Sequence, residues 1–161
     1  MEKSGKGYFG VTLAVGSIVI ARSRGAARGD PRTMCSFRAE AYGFLAGLCL
    51  LHSLLQNSTL GSSHTIHTDS ASLLARLLTA TSRVSVGFWT KPDSDIVMQI
   101  TDLVTHIPKL TRHYVKGHQD SKKKKSEMTL PEIYNCDADA SATRMRFEMS
   151  KPATNVICFP K

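Results

Sequence analysis

The stretch His64-Thr65-Ile66-His67-Thr68-Asp69-Ser70 reads as a short strand that stops at an acid and a hydroxyl residue. Beyond it Leu73, Leu74, Leu77 and Leu78 recur at helical spacing on one face. A strand that hands over directly to a helix is the building unit of an α/β fold. Upstream, Ser36 to Leu55 reads as a long helix. Ser36 serves as N-cap, and Ala41, Phe44, Leu45, Leu48, Leu51 and Leu55 make a buried stripe. Before it, Val11, Leu13 and Val15 alternate, then Ile18 and Ile20, around a Gly16-Ser17 turn, which predicts a hairpin. Downstream, Ser82 to Ser94 reads as a loop, and Asp95 to His106 as an amphipathic helix burying Ile96, Ile100, Leu103 and Val104. Pro108 stops that helix, and Leu110 to Val115 reads as a strand. Gly117 to Thr129 is a polar loop, and Pro131 suits the first turn of a last helix reaching about Glu148. The predicted fold class is α/β: helices packed on a mixed sheet, in one domain over 1–150, followed by a tail at 151–161.

The chain has 161 residues, 42 % of them hydrophobic, enough for one domain with a sizeable core. Twenty-one Lys and Arg against 13 Asp and Glu give a formal charge of +8, which favours a polyanionic partner or an anionic surface. Cys35, Cys49, Cys136 and Cys158 form no CxxC pair, which argues against a zinc ribbon or a thioredoxin-type site. They read as reduced thiols of an intracellular protein, cytoplasmic or nuclear, with Cys49 as a small core residue. Lys3 and Lys6 ahead of the apolar run Tyr8 to Ala21 also allow a targeting segment. That run is too short to span a bilayer as a helix, and Thr12, Gly16 and Ser17 interrupt it. The hairpin is the better reading, and no membrane partner is expected.

Four motifs carry candidate chemistry. Glu40 in Ser36-Phe37-Arg38-Ala39-Glu40 lies one helical step before Phe44 and Leu48, so it follows the buried stripe. A carboxylate aimed that way needs a partner or a metal; a salt bridge to Arg38 is the ordinary alternative. Asp69 sits where a strand ends, a common place for functional residues in open α/β sheets, although taken alone it reads first as an ordinary N-cap. His118 in Val115-Lys116-Gly117-His118 can exchange a proton, or be a plain loop histidine. Asp139 in Asn135-Cys136-Asp137-Ala138-Asp139 shares a helix face with Asn135, while Asp137 points elsewhere into solvent. Carboxylates in such number suit a hard divalent cation. The loop Arg22 to Thr33, with four arginines, divides evenly between solvated loop and phosphate contact, whereas the run Lys122 to Lys125 reads first as a solvated loop, with contact to hybrid phosphates as the alternative.

In this order and spacing, with Gly7-Tyr8-Phe9-Gly10 and Asn135 through Ala142, the motifs resemble the ribonuclease H domain of retroelement reverse transcriptases and related cellular enzymes. The resemblance spans about 7 to 148. It implies metal-dependent hydrolysis of the RNA strand of an RNA–DNA hybrid with Mg²⁺ or Mn²⁺ as cofactor. Glu40, Asp69 and Asp139 would be the metal ligands, and His118 the mobile histidine. Ser70, Asn135, Lys116, Lys123 and Lys124 would face the nucleic acid. Other domains of a retroelement polyprotein would be partners. Integrases and transposases share the architecture; the Lys116-Gly117-His118 and Asn135-to-Asp139 pieces point to ribonuclease H within that group.

One departure from the pattern has chemical weight. The family's first strand is central and ends in an aspartate that bridges both metals, and no aspartate stands before Gly7 here. The expectation is an N-terminally truncated domain with an unfilled position in its sheet, from a mobile-element fragment or a mis-started gene. The chain as given would then be weakly active or inactive. The alternatives are a non-catalytic nucleic-acid-binding remnant of a retrotransposon polyprotein, and a structural module whose acids merely cap helices.

Overall fold

The computed structural model of the chain describes residues 6–30, 32, 34–57, 63–82, 87 and 90–150. Its elements run β1 (Tyr8–Val15), β2 (Ile18–Ala26), α1 (Ser36–Gln56), β3 (His64–Thr68) and α2 (Ala71–Ser82). Then come α3 (Ser94–Thr105), β4 (Leu110–Tyr114), two short 3-10 turns and α4 (Leu130–Ser150). The order is the one the sequence predicts. The anticipated tail and much of the 82–94 loop fall outside the described residues.

The strands do not make one sheet. β1 and β2 pair antiparallel from Tyr8↔Ala26 to Val15↔Ile18, and β3 and β4 pair parallel from His64↔Leu110 to Thr68↔Tyr114. Each pair is a separate two-stranded ladder, so the expected mixed sheet is replaced by two small sheets. Among the described residues no backbone hydrogen bond joins β1 to β3. The β1–β2 reversal is the two-residue turn at Gly16-Ser17, with Gly16 at a left-handed φ of 58°.

Helices on both faces hold the ladders together. α1 lies under one face of the hairpin. A Cβ built on Gly43 would lie 3.2 Å from that of Phe9, and one on Gly47 would lie 3.5 Å from both Val11 and Ile66. Gly47 therefore sits where the two ladders meet over the helix. α4 covers the other face, so closely at Gly10 that a side chain there would meet the Ala138 carbonyl. Arg22 and Arg24 lie on β2, not in a loop, and reach α4 through Asp137 at 2.7 Å and Glu148 at 3.1 Å. Asp137, expected to be solvated, is thus an exposed ion-pair partner of Arg22.

The core follows the predicted stripes with several shifts. Ala41, Phe44, Leu48, Leu73, Leu77, Ile96 and Ile100 are buried as expected, and Val97 joins them. Leu78 is 64 % exposed, because it stands about 100° round α2 from Leu77. Cys49 is exposed and not part of the core, and Cys35, Cys49 and Cys136 are all unbridged. Ile18 and Ile20 face outward near the hairpin tip. The N-cap of α1 is Cys35, one residue before Ser36, without a side-chain cap. Among the described residues no helix is long and apolar enough to cross a membrane.

Leu77→Ala is expected to destabilise the fold by about 2–5 kcal/mol and Leu78→Ala by no more than about 0.5 kcal/mol. Urea titration of both variants checks this; equal losses would mean α2 buries a different face.

Candidate functional site: an acidic cavity between the two ladders

A cavity of about 700 Å³ lies between β1 and β3, closed by α1 on one side and α4 on the other. Glu40, Asp69, Asn135 and Asp139 all line it. They come from α1, the end of β3 and α4, so folding brings together residues separated by up to 99 positions.

Each is placed by a local device. At the start of α1, Arg38 is committed to Asp93 and Asp95, at 2.8 Å each, and not to Glu40. These ion pairs tie the first turn of α1 to the start of α3, and both Arg38 and Asp93 are largely buried. Capping of α2 falls to Ser70, whose Oγ accepts from the Leu73 amide at 3.3 Å. Asp69 is therefore not spent as a cap and stands at the cavity. Ser70 is buried, and its hydroxyl also contacts that of Ser72. Asn135 donates from Nδ2 to Asp69 Oδ2 at 3.3 Å, linking α4 to the end of β3. Gly117 passes so close to Asp69 that a Cβ would come within 2.5 Å of Oδ2. That contact explains why glycine stands between Lys116 and His118.

The electrostatics centre on Asp139. Burial first, then the charges of Asp69, Asp120 and Glu40, push its carboxyl up to about 6 against the opposing pull of His118. Its Oδ2 is buried without a hydrogen-bond partner, 3.6 Å from Nδ1 of the exposed His118 ring. His118 itself has a left-handed backbone, φ 53° and ψ 39°. Asp120 joins His118, Cys136 and Asp139 around a second depression on the outer side of the site. Sequence reading passed over Asp120; its signal was its place two residues after His118.

The lysines divide. Lys123 Nζ is held 2.8 Å from Glu132, a buried acid at the start of α4, and so anchors the loop to that helix. That lysine and the Thr129 amide hold the Glu132 carboxyl well below the usual carboxylate range, at about 2. Lys116 and Lys124 are exposed. In the loop before α1, Arg32 pairs with Asp30 and the Arg28 carbonyl accepts from Arg38. His67 and His113 lie ring to ring at 5.7 Å across β3 and β4.

The donor set suits a hard cation. All three acids offer oxygen, and an unpaired buried oxygen beside like charges is what a cation relieves. Among the described residues no three His, Cys, Asp or Glu side chains stand together as a metal-holding group. A Mg²⁺-type ion commonly takes one or two carboxylates and completes its shell with water and phosphate oxygens, so the two observations are compatible. Comparison with protein-family models and with curated proteins finds no match to this chain.

The raised Asp139 carboxyl fixes a sign. Its folded value lies above its ordinary 3.8, so its contribution to stability is complete below about pH 3.8 and falls away as pH rises through about 6. In metal-free buffer Asp139→Asn should remove that decline, which thermal melts from pH 4 to 7 will read. A wild-type decline that persists unchanged in the variant would assign it elsewhere.

Proposed function

We propose that this chain is a ribonuclease H-like domain that binds RNA–DNA hybrid and hydrolyses its RNA strand slowly with Mg²⁺ or Mn²⁺. The observation that carries the reading is the convergence of Glu40, Asp69 and Asp139 on one cavity, with the Asp139 carboxyl raised by burial and then by the charges of Asp69, Asp120 and Glu40. These residues stand in separate motifs and have no structural need to meet. Asp69 lies at the β3–α2 junction and Glu40 near the start of α1, where a rigid scaffold presents function, while Asp139 stands midway along α4.

Of Glu40, Asp69 and Asp139, one or two would ligate the cation directly and the rest would act on it through water, with Asn135 fixing the Asp69 carboxylate through its 3.3 Å hydrogen bond. When bound, the cation supplies an activated water and stabilises the leaving 3′ oxygen. His118 and Asp139, 3.6 Å apart, can share and pass a proton at the solvent-facing rim. Lys116 and Lys124 would meet phosphates, and Lys123 would act indirectly by fixing the loop. Ser70 would position Asp69 by taking over the cap, with no contact to nucleic acid. Such a site reads groove shape and the 2′-hydroxyl and not base sequence. Other domains of a retroelement polyprotein would supply the remaining chemistry.

A second reading, a non-catalytic nucleic-acid-binding remnant, draws support from the lack of a closed metal-holding group among the described residues. One experiment separates them. A labelled hybrid incubated with Mn²⁺ should be cut slowly by the wild type and not by Asp69→Asn, while both bind it. Binding without cleavage by the wild type favours the remnant. If Glu40→Gln with Asp69→Asn leaves Mn²⁺ binding unchanged, the acids are structural and the proposal falls. Lys116→Ala and Lys124→Ala should each lower the salt slope of hybrid binding by about one.

A further inference from the structure

One pair of side chains stands together that the proposed reaction does not use. His67 on β3 and His113 on β4 are direct cross-strand partners in the parallel ladder, and their rings lie 5.7 Å apart, tilted by 30°. Both residues are exposed. The neighbouring pair on the same face, Thr65 and Thr111, joins its hydroxyls at 3.1 Å. We propose that His67 and His113 form a two-imidazole site for a borderline divalent transition cation of the Zn²⁺ type, which staples β3 to β4.

The spacing fits one shared ion. Imidazole nitrogen binds Zn²⁺ at about 2.0–2.1 Å, which places the centres of two rings on one ion roughly 5–6 Å apart. The backbone under the rings is fixed. The Val115 amide donates to the Thr68 carbonyl at 3.0 Å, and the His64 amide donates to the Lys109 carbonyl at 3.2 Å, so the ladder is continued at both ends. Thr68 is buried, and Ile66 lies against α1 at Gly47. Only the two side chains need to adjust when the ion binds, and a rigid strand pair presents them. The donor type selects the metal. Neutral imidazole suits Zn²⁺, Ni²⁺ and Cu²⁺, whereas the cavity carboxylates suit Mg²⁺ and Mn²⁺. Two protein donors leave the remaining positions to water, in keeping with the absence of a three-residue His, Cys, Asp or Glu group among the described residues. The place of the pair gives it a consequence. β3 leads to Asp69 two residues on, and β4 leads through Val115-Lys116-Gly117 to His118. An ion across His67 and His113 ties together the two strands that present those residues.

His67 also borders the acidic cavity, so the test must tell the two places apart. The full chain is titrated with Zn²⁺ by calorimetry at about pH 7.5, above the ordinary imidazole range, with and without excess Mg²⁺. The expected result is a Zn²⁺ site that Mg²⁺ does not displace. His67→Gln and His113→Gln should each weaken it by at least about tenfold, while Asp69→Asn and His118→Ala leave it in place. Zn²⁺ should also raise the melting temperature of the wild type and not of the glutamine variants. Substoichiometric Cu²⁺ should broaden the amide signals of residues 65–67 and 111–113 first. Zn²⁺ binding that the glutamine variants leave unchanged would overturn the proposal, and the two rings would then be cross-strand packing alone. So would loss of the site to Mg²⁺, or broadening centred on His118 and Asp139. The broadening map uses the unaltered protein, so it decides even if a variant fails to fold.

Discussion

Among the described residues the two short ladders share no backbone hydrogen bond, so something other than a sheet holds them, and here two long helices do it. α1 meets Val11 of one ladder and Ile66 of the other at Gly47, and α4 presses on Gly10 from the opposite face. A two-stranded ladder is marginal alone, so the hairpin and the β3–β4 pair depend on this clamp. The glycines permit it, because a larger side chain at Gly10 would force α4 away from β1.

The acidic site is a consequence of that clamp. α1 brings Glu40, α4 brings Asn135 and Asp139, and β3 ends at Asp69 between them. Bringing three carboxylates into a partly dehydrated space is unfavourable, and the molecule shows the strain where it is greatest, at Asp139. Elsewhere several carboxylates are matched. Asp93 and Asp95 take Arg38, Glu132 takes Lys123, and Asp137 takes Arg22. A protein with eight net positive charges has cations to spare, yet none of these pairs serves the cavity acids.

Much of this was legible in the sequence. Period and turn chemistry located the eight elements, because Gly16-Ser17, Pro108 and Pro131 punctuate strong apolar stripes. The candidate acids were legible as a set, and folding brings them to one cavity, although each motif alone is ambiguous. Other features were not legible. Whether Asp69 or Ser70 caps α2 depends on which oxygen reaches the Leu73 amide, and both residue types cap well. Arg38 could equally have paired with Glu40, and only the position of α3 decides for Asp93 and Asp95. Cys49 and Leu78 were misplaced because a stripe is narrower than a run of apolar residues. Lys123 differs from Lys124 only through Glu132, nine positions away. The split into two ladders is a tertiary fact that strand pattern does not encode.

The central claim is that Asp69 and Asp139 share one electrostatic environment. Carboxyl carbon NMR of Asp139, followed by pH titration in metal-free wild type and in Asp69→Asn, tests it directly. The account predicts an apparent pKa near 6 in the wild type that moves down when Asp69 loses its charge. A titration unchanged by the substitution would contradict it.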